Sequence, residues 1–134
     1  MVYNTLNTNL FNLSELTDAQ RMLINDRTYL VREQKIMIDT DLAKLYGCEL
    51  KYLRSMVERN ASRFQERHLF QLNDNETFAL KARIDSSKTR INPYAFTEEG
   101  ICMLSTILNT DFAVKHSIYI VRSLANFKRY VLSL

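Results

Sequence analysis

The amino-acid sequence predicts a mostly α-helical domain with small β-hairpin elements, an α+β fold. The 134 residues include only two glycines and one proline, so few tight turns are expected. Residues 38–60 have the pattern of two helices joined at Gly47, and residues 29–38 alternate in two short runs as a hairpin does. A helix-turn-helix core in a winged-helix-like arrangement is therefore expected.

The composition is that of one globular domain. Hydrophobic residues make up 46% of the chain and charged residues 25%, and 134 residues are enough to bury a core. Cys48 and Cys102 lack CxxC spacing, so we expect reduced thiols rather than a disulfide or a zinc site. No signal-peptide pattern and no apolar run of about 20 residues is found, so a cytoplasmic protein without a membrane segment is expected.

The first part of the chain is predicted to be a loose arm and a short helix, together residues 1–26. Thr17 and Gln20 have the spacing of a capping box and are expected to open that helix. The hairpin follows, with its turn in the polar stretch from Arg32 to Lys35, which contains no glycine.

The two helices of residues 38–60 are expected to expose a charged face. Asp39 or Thr40 is predicted to cap the first helix, and Gly47 is predicted to end it. The second helix would turn Leu50, Leu53 and Val57 inward. Its outward residues are then Glu49, Lys51, Tyr52, Arg54, Ser55, Glu58 and Arg59.

Downstream, a short strand around residues 69–72 is expected, and then a helix capped by Asn73 or Asp74 with Phe78 on its apolar side. Residues 90–96 are predicted to be extended around Pro93. The polar, basic loop before them is either the wing of a winged helix or an ordinary surface loop.

Two further helices complete the chain. Thr97 and the two glutamates after it mark a helix start, and Gly100 inside that helix indicates close contact with a neighbouring element. The last helix is expected to begin near Asp111 with a strongly apolar stripe. Either this stripe closes the core, or its end packs on a second chain to form a homodimer.

Positive charge is concentrated in two segments. Residues 44–67 contain six cationic and three acidic side chains, and residues 81–90 contain four cationic side chains and one acidic side chain, so the rest of the chain is acidic. One positive face able to follow phosphates is therefore expected. The candidate DNA contacts are Lys44, Lys51, Tyr52, Arg54, Ser55, Arg59, Arg63, Lys88 and Arg90.

We assign Lys51, Arg54 and Ser55 to base edges or nearby phosphates, and Lys88 and Arg90 to the backbone from the wing. A solvated charged face is the competing interpretation. Glu49 and Glu58 repel phosphate, and helix spacing permits Glu58 to pair with Arg54.

The residue pattern does not favour an enzyme. His68 and His116 are far apart in the chain, and the adjacent Glu98 and Glu99 point to different sides of one helix. Asp39 and Asp41 are better explained by capping than by metal binding. No glycine loop for phosphate is present, so no catalytic residue, cofactor or metal is expected.

Four motifs follow one another along the chain: VREQKIMID, DLAKLYGC, RFQERHLFQL and PYAFTEEGICMLSTIL. In this order they resemble the ORF-six-N domain of phage and prophage proteins, which is related to the KilA-N and Bro-N domains of antirepressors. The resemblance covers residues 27–128, with residues 129–134 as the end of the C-terminal helix. The chain departs from the family pattern at Glu33, where the hairpin glycine is usual, at Gln65 in place of proline, and at Cys48 in place of valine.

The resemblance implies sequence-specific binding of double-stranded DNA by a helix-turn-helix domain of a phage-type transcriptional regulator or antirepressor. The alternative is a protein-interaction module that binds or titrates another phage or host regulator through its C-terminal helix. The operator and the sign of regulation are not specified by these residues.

Overall fold

A computed structural model describes residues 17–83, 91–108, 113, 117–120 and 122. These residues form a mixed α/β fold with one antiparallel sheet. Its elements in chain order are α1 (Asp18–Arg27), β1 (Tyr29–Val31), β2 (Gln34–Ile38), α2 (Asp39–Tyr46), α3 (Leu50–Arg59), a 3-10 turn (Ala61–Arg63), β3 (Leu69–Gln71), α4 (Asp74–Ala79), β4 (Tyr94–Thr97) and α5 (Glu98–Leu108).

The sheet has four strands in the order β1-β2-β4-β3, and every neighbouring pair is antiparallel. In β4, Phe96 is opposite Met37 of β2 and Ala95 is opposite Phe70 of β3. The predicted combination of helices and strands is confirmed. The sequence predicted only small β-hairpin elements, whereas the structure has one sheet of four strands. A central strand from late in the chain joins the hairpin to β3, and local alternation of side chains cannot reveal such a long-range pairing.

The hairpin turn consists of two residues with left-handed backbone. Arg32 has φ of 52° and Glu33 has φ of 63°, the conformation that fits the twist of a two-residue hairpin. The predicted turn extended to Lys35, but that residue belongs to β2. The Arg32 side chain is fixed by two residues outside the hairpin. Its Nε and Nη2 each donate to the Glu76 carboxylate at 2.9 Å, and its guanidinium lies 4.2 Å from the ring centre of Phe70.

The capping box predicted at Thr17 is present, and of the two caps considered for the later helix it is Asn73 that caps it, also in a capping box. Thr17 and Gln20 exchange side-chain and backbone hydrogen bonds at the start of α1, and Asn73 and Glu76 do the same at α4. The prediction for Phe78 is wrong, because its side chain is 73% exposed. The short helix instead turns Glu76 inward to meet Arg32, and this places Phe78 on the solvent side.

The predicted cap of α2 is also wrong. The helix begins at Asp39, and the capping position is Ile38, which has no side-chain hydrogen bond to offer. Asp39, Thr40 and Asp41 are all buried, so the first turn of α2 lies inside the protein rather than at its surface.

The main core lies between the helices and one face of the sheet. Its fully buried members include Ile24 of α1, Leu42 of α2, Leu53 of α3 and Leu104 of α5. The apolar stripe predicted for α5 is confirmed. All four of its residues are buried: Ile101, Leu104, Ile107 and Leu108.

The described residues of the last helical segment pack into this core. Ala113 and Ile120 are buried in the main cluster, and the Ser117 hydroxyl shares a hydrogen bond with the Tyr46 hydroxyl of α2. Burial raises the pKa of Tyr46 to about 12, so this hydroxyl keeps its proton. At these positions the segment closes the core. The apolar end of the helix that was considered for dimerisation lies outside the described residues.

Gly100 is required where α5 crosses the chain before β3. A Cβ atom on Gly100 would lie 1.8 Å from the carbonyl oxygen of His68, which no side chain tolerates. Thr97 stabilises the same contact between α5 and the segment before β3. Its hydroxyl donates to Arg67 O at 2.6 Å and accepts a hydrogen bond from the Gly100 N–H at 3.1 Å. The close contact predicted for Gly100 is confirmed. None of the helices described here has the length and apolar character of a membrane span.

Candidate nucleic-acid interface

The connection between α2 and α3 is set by Gly47. This residue has φ of 67° and ψ of 32°, and its N–H donates to Lys44 O at 3.2 Å. The Cys48 N–H donates to Ala43 O at 3.0 Å, which completes a Schellman motif. The chain therefore leaves α2 in a defined direction, and α3 begins only three residues later.

The inner face of α3 is fixed by the core. Leu53 is fully buried, while Leu50, Met56 and Val57 are half-buried against the same cluster. The inward positions predicted for Leu50, Leu53 and Val57 are confirmed. Because one face of the helix is held, the opposite face has a fixed orientation toward solvent.

The outer face of α3 contains four of the nine predicted contact residues. Lys51, Tyr52 and Arg59 are exposed, with 46% of Tyr52 accessible. Ser55 is half-buried, and its hydroxyl donates to Tyr52 O at 2.9 Å. At 3.6 residues per turn these four positions lie on one side of the helix. Glu58 is exposed on the same side, between the cations.

Arg54 lies at the edge of this face and is held by α2. Its Nε donates to Asp39 Oδ2 at 2.8 Å, with 23% of the arginine side chain exposed and none of the aspartate side chain. Helix spacing in the sequence suggested Glu58 as the ion-pair partner of Arg54. In the structure its ion-pair partner is Asp39, at the start of the preceding helix. The ion pair joins the two helices across their contact.

Asp39 connects three parts of the fold. Besides Arg54, it accepts the Thr40 N–H at 2.8 Å and a backbone hydrogen bond from Tyr94 of β4. Burial raises the pKa of Asp39, and the Arg54 guanidinium with these backbone donors acts in the opposite direction. Asp39 therefore has a tertiary role that its position in the sequence did not reveal.

Asp41 is a second buried carboxylate in the same turn. Its side chain is 3% exposed, and Oδ1 lies 3.8 Å from Nη1 of Arg27. Its other oxygen accepts no hydrogen bond from the residues described. Burial raises its pKa to about 6, while Arg27 and Lys44 lower it. The expectation that Asp39 and Asp41 serve as helix caps is therefore incorrect.

The remaining predicted contacts flank α3 or lie outside the described residues. Lys44 is exposed in the last turn of α2, and Arg63 is exposed in the 3-10 turn after α3. Lys88 and Arg90, assigned to a wing, fall in the segment 84–90, which the structure does not describe. The predicted wing lies in the connection from β3 to β4, which contains α4 and then residues 84–90. Because residues 84–90 are not described, the wing stays a prediction.

Comparison with known proteins identifies the family. The family model described as ORF6N domain matches residues 26–107, which is more than half of the chain and includes all four strands together with α2 and α3. No curated protein and no solved structure matches the chain. The resemblance carried by the sequence motifs is confirmed, and the chain belongs to the ORF6N domain family.

Proposed function

We propose that this ORF6N domain is a binding domain, not an enzyme, that recognises double-stranded DNA sequence-specifically as part of a phage-type regulator or antirepressor. The observation that carries the proposal is the outer face of α3. Lys51, Tyr52, Ser55 and Arg59 lie on one side of a helix whose other side is anchored in the core. A helix of this kind fits the major groove of B-form DNA, where side chains meet base edges.

In this proposal the helices α2 and α3 act as a helix-turn-helix. The Tyr52 hydroxyl can donate to or accept from bases, and the Ser55 hydroxyl, which donates its proton to Tyr52 O, can accept from them. Lys51 and Arg59 offer cationic donors for guanine or phosphate. Lys44 and Arg63, exposed at either side of α3, are assigned to the phosphate backbone. Lys88 and Arg90 keep their proposed role at the backbone from the wing.

Arg54 has a different proposed role from the one assigned by sequence. Because its Nε is engaged by Asp39 at 2.8 Å, we propose that it positions α3 rather than reading a base. A rigid recognition helix avoids an ordering cost on binding, so a positioning arginine contributes to affinity without touching DNA. Glu58 is proposed to limit nonspecific binding, since a carboxylate at the interface repels phosphate.

Selection of bound sites from a pool of random DNA duplexes tests the proposal. The chain is expected to enrich one sequence motif over successive rounds. A variant with Lys51→Ala and Arg59→Ala, which removes two exposed cations from α3, is expected to enrich none. Failure of the unaltered chain to enrich any motif would contradict sequence-specific DNA binding and would favour the protein-interaction alternative.

A further inference from the structure

A cleft opens beside the second half of α3, on the side next to its proposed DNA face. It lies between α3, the 3-10 turn and the strands β3 and β4, with a volume of about 610 Å³. This volume is within the range of about 300–1,000 Å³ that is common for ligand sites. The cleft is open to solvent, and Ala61 of the 3-10 turn is exposed at its wall.

The interior of the cleft is apolar. Leu53 and Phe96, both almost completely buried, contribute to its lining, and Val57, Phe64 and Leu69 are only partly covered. Partly exposed apolar side chains that converge on a concave surface are typical of a binding groove.

The charged side chains that line the cleft have a net negative charge. The lining includes three carboxylates, Asp39, Glu58 and Glu66, and one guanidinium, Arg54, in a chain whose formal net charge is +3. Asp39 is compensated by Arg54. Glu58 and Glu66 are exposed and form no ion pair with any residue that the structure describes. The lining therefore offers two exposed carboxylates that have no ion-pair partner among the described residues.

We infer that this cleft binds a peptide segment of a partner protein, with apolar side chains that enter the cleft and lysine or arginine residues that meet Glu58 and Glu66. The inference follows from charge complementarity, because an apolar interior with acidic side chains matches an amphipathic basic segment and disfavours an acidic one. Helical segments of this kind dock through residues spaced three or four apart. The cleft shares Glu58 with the outer face of α3, whereas its apolar lining residues Val57, Phe64 and Leu69 lie outside that face.

Two synthetic peptides test the inference by fluorescence anisotropy with the full chain and no DNA. Each is a helix of about 12 residues with the same leucines at helical spacing, and they differ only in flanking lysines or flanking glutamates. The lysine peptide is expected to bind at least about tenfold more tightly, because the acidic side chains attract one peptide and repel the other.

Matched variants locate the binding site. Ala61→Phe is expected to fill the cleft and abolish binding, whereas Ala79→Phe on α4 replaces another exposed alanine and is expected to have no effect. Glu58→Gln and Glu66→Gln are each expected to weaken binding of the lysine peptide by about two- to fivefold. Glu33→Gln, which removes an exposed carboxylate from the hairpin turn, controls for overall charge.

Three results would overturn the inference. The first is equal affinity for the two peptides or no binding by either. The second is unchanged binding by the Ala61→Phe variant. The third is a dimer that Ala61→Phe dissociates in light scattering, which would make a second copy of the chain the occupant. Lys51→Ala is expected to leave peptide binding intact, so loss of DNA binding and loss of peptide binding are separable.

Discussion

Arg54 in α3 and Asp39 at the start of α2 form a buried ion pair, with 2.8 Å between Nε and Oδ2. The pair crosses the contact between the two helices proposed to bind DNA. The Asp39 carboxylate also accepts backbone hydrogen bonds from Thr40 and Tyr94, so α2, α3 and β4 meet at one charged group. The orientation of α3 is therefore held by a polar contact as well as by Leu53 in the core.

Arg54→Ala is expected to lower the free energy of unfolding by about 3–5 kcal/mol, because it leaves the fully buried Asp39 carboxylate without its counter-charge. Urea unfolding of both proteins measures the difference. Arg67→Ala is the control, since its pair with Glu99 spans 3.6 Å with both side chains 66% exposed, and its loss should cost less than about 1 kcal/mol. Equal effects of the two substitutions would contradict a structural role for the buried pair.

Asp41 is expected to make stability depend on pH. The folded protein keeps the Asp41 proton up to about pH 6, whereas the unfolded chain releases it near pH 3.8. Unfolding therefore releases a proton between these values, and the contribution of Asp41 to stability falls as the pH rises through this window. Above about pH 6, the free energy of unfolding of Asp41→Asn should exceed that of the unaltered chain by about 2–3 kcal/mol.

Urea unfolding from pH 4 to pH 8 measures this dependence. The raised pKa of Asp39 acts in the same direction as that of Asp41, and the lowered pKa of Glu76 acts in the opposite direction. The comparison with Asp41→Asn reports mainly on Asp41, because Asp39 and Glu76 titrate in both proteins. A stability difference that does not change between pH 4 and pH 7 would disprove the assignment.

Gly100→Ala is expected to destabilise the fold by about 3 kcal/mol or more, since its Cβ would fall 1.8 Å from the His68 carbonyl oxygen and must displace backbone. Thermal unfolding followed by circular dichroism measures the change. Ser105→Ala lies on the same helix at a half-exposed position and should change stability little. If both variants have the same melting temperature as the unaltered chain, α5 does not pack as closely on His68 as described.

Glu33→Gly is expected to stabilise the protein by about 0.5–1 kcal/mol. Glu33 has φ of 63°, which costs a side-chain-bearing residue more than it costs glycine. The melting temperature reports the gain, and Gln34→Gly in the extended strand β2 should lower it instead. A lower melting temperature for Glu33→Gly would show that the left-handed turn is not strained at this residue.

Features that depend on local backbone geometry were predictable from the sequence. Thr17 was identified as a cap by the glutamine three residues later, Asn73 was one of two adjacent candidates for the next cap, and both caps are present. Gly47 was identified by its place between two apolar repeats, and it has the left-handed conformation expected of a helix end. These signals lie within a few residues of each other, so a single stretch of sequence contains them.

Features that depend on distant partners were not predictable in the same way. Asp39 resembles a helix cap in sequence, but its carboxylate meets Arg54 fifteen positions later and the backbone of β4. Glu76 turns inward to meet Arg32, and Phe78 is exposed as a result. The acidic apolar cleft likewise combines residues from α3, the 3-10 turn and two strands, and no spacing in the sequence marks it.

The salt dependence of DNA binding by Lys51→Ala tests the proposed interface most directly. With a duplex enriched by selection, affinity is measured from low to physiological salt for the unaltered chain, for Lys51→Ala and for Arg21→Ala. Both variants lose one exposed cation, but Arg21 is on α1 rather than α3. Lys51→Ala is expected to weaken DNA binding, and the salt slope of its affinity should fall by about 1 if the lost contact is to phosphate. Arg21→Ala is expected to leave both the affinity and the salt slope unchanged. Unchanged affinity for Lys51→Ala, or an equal loss in both variants, would contradict binding through the outer face of α3.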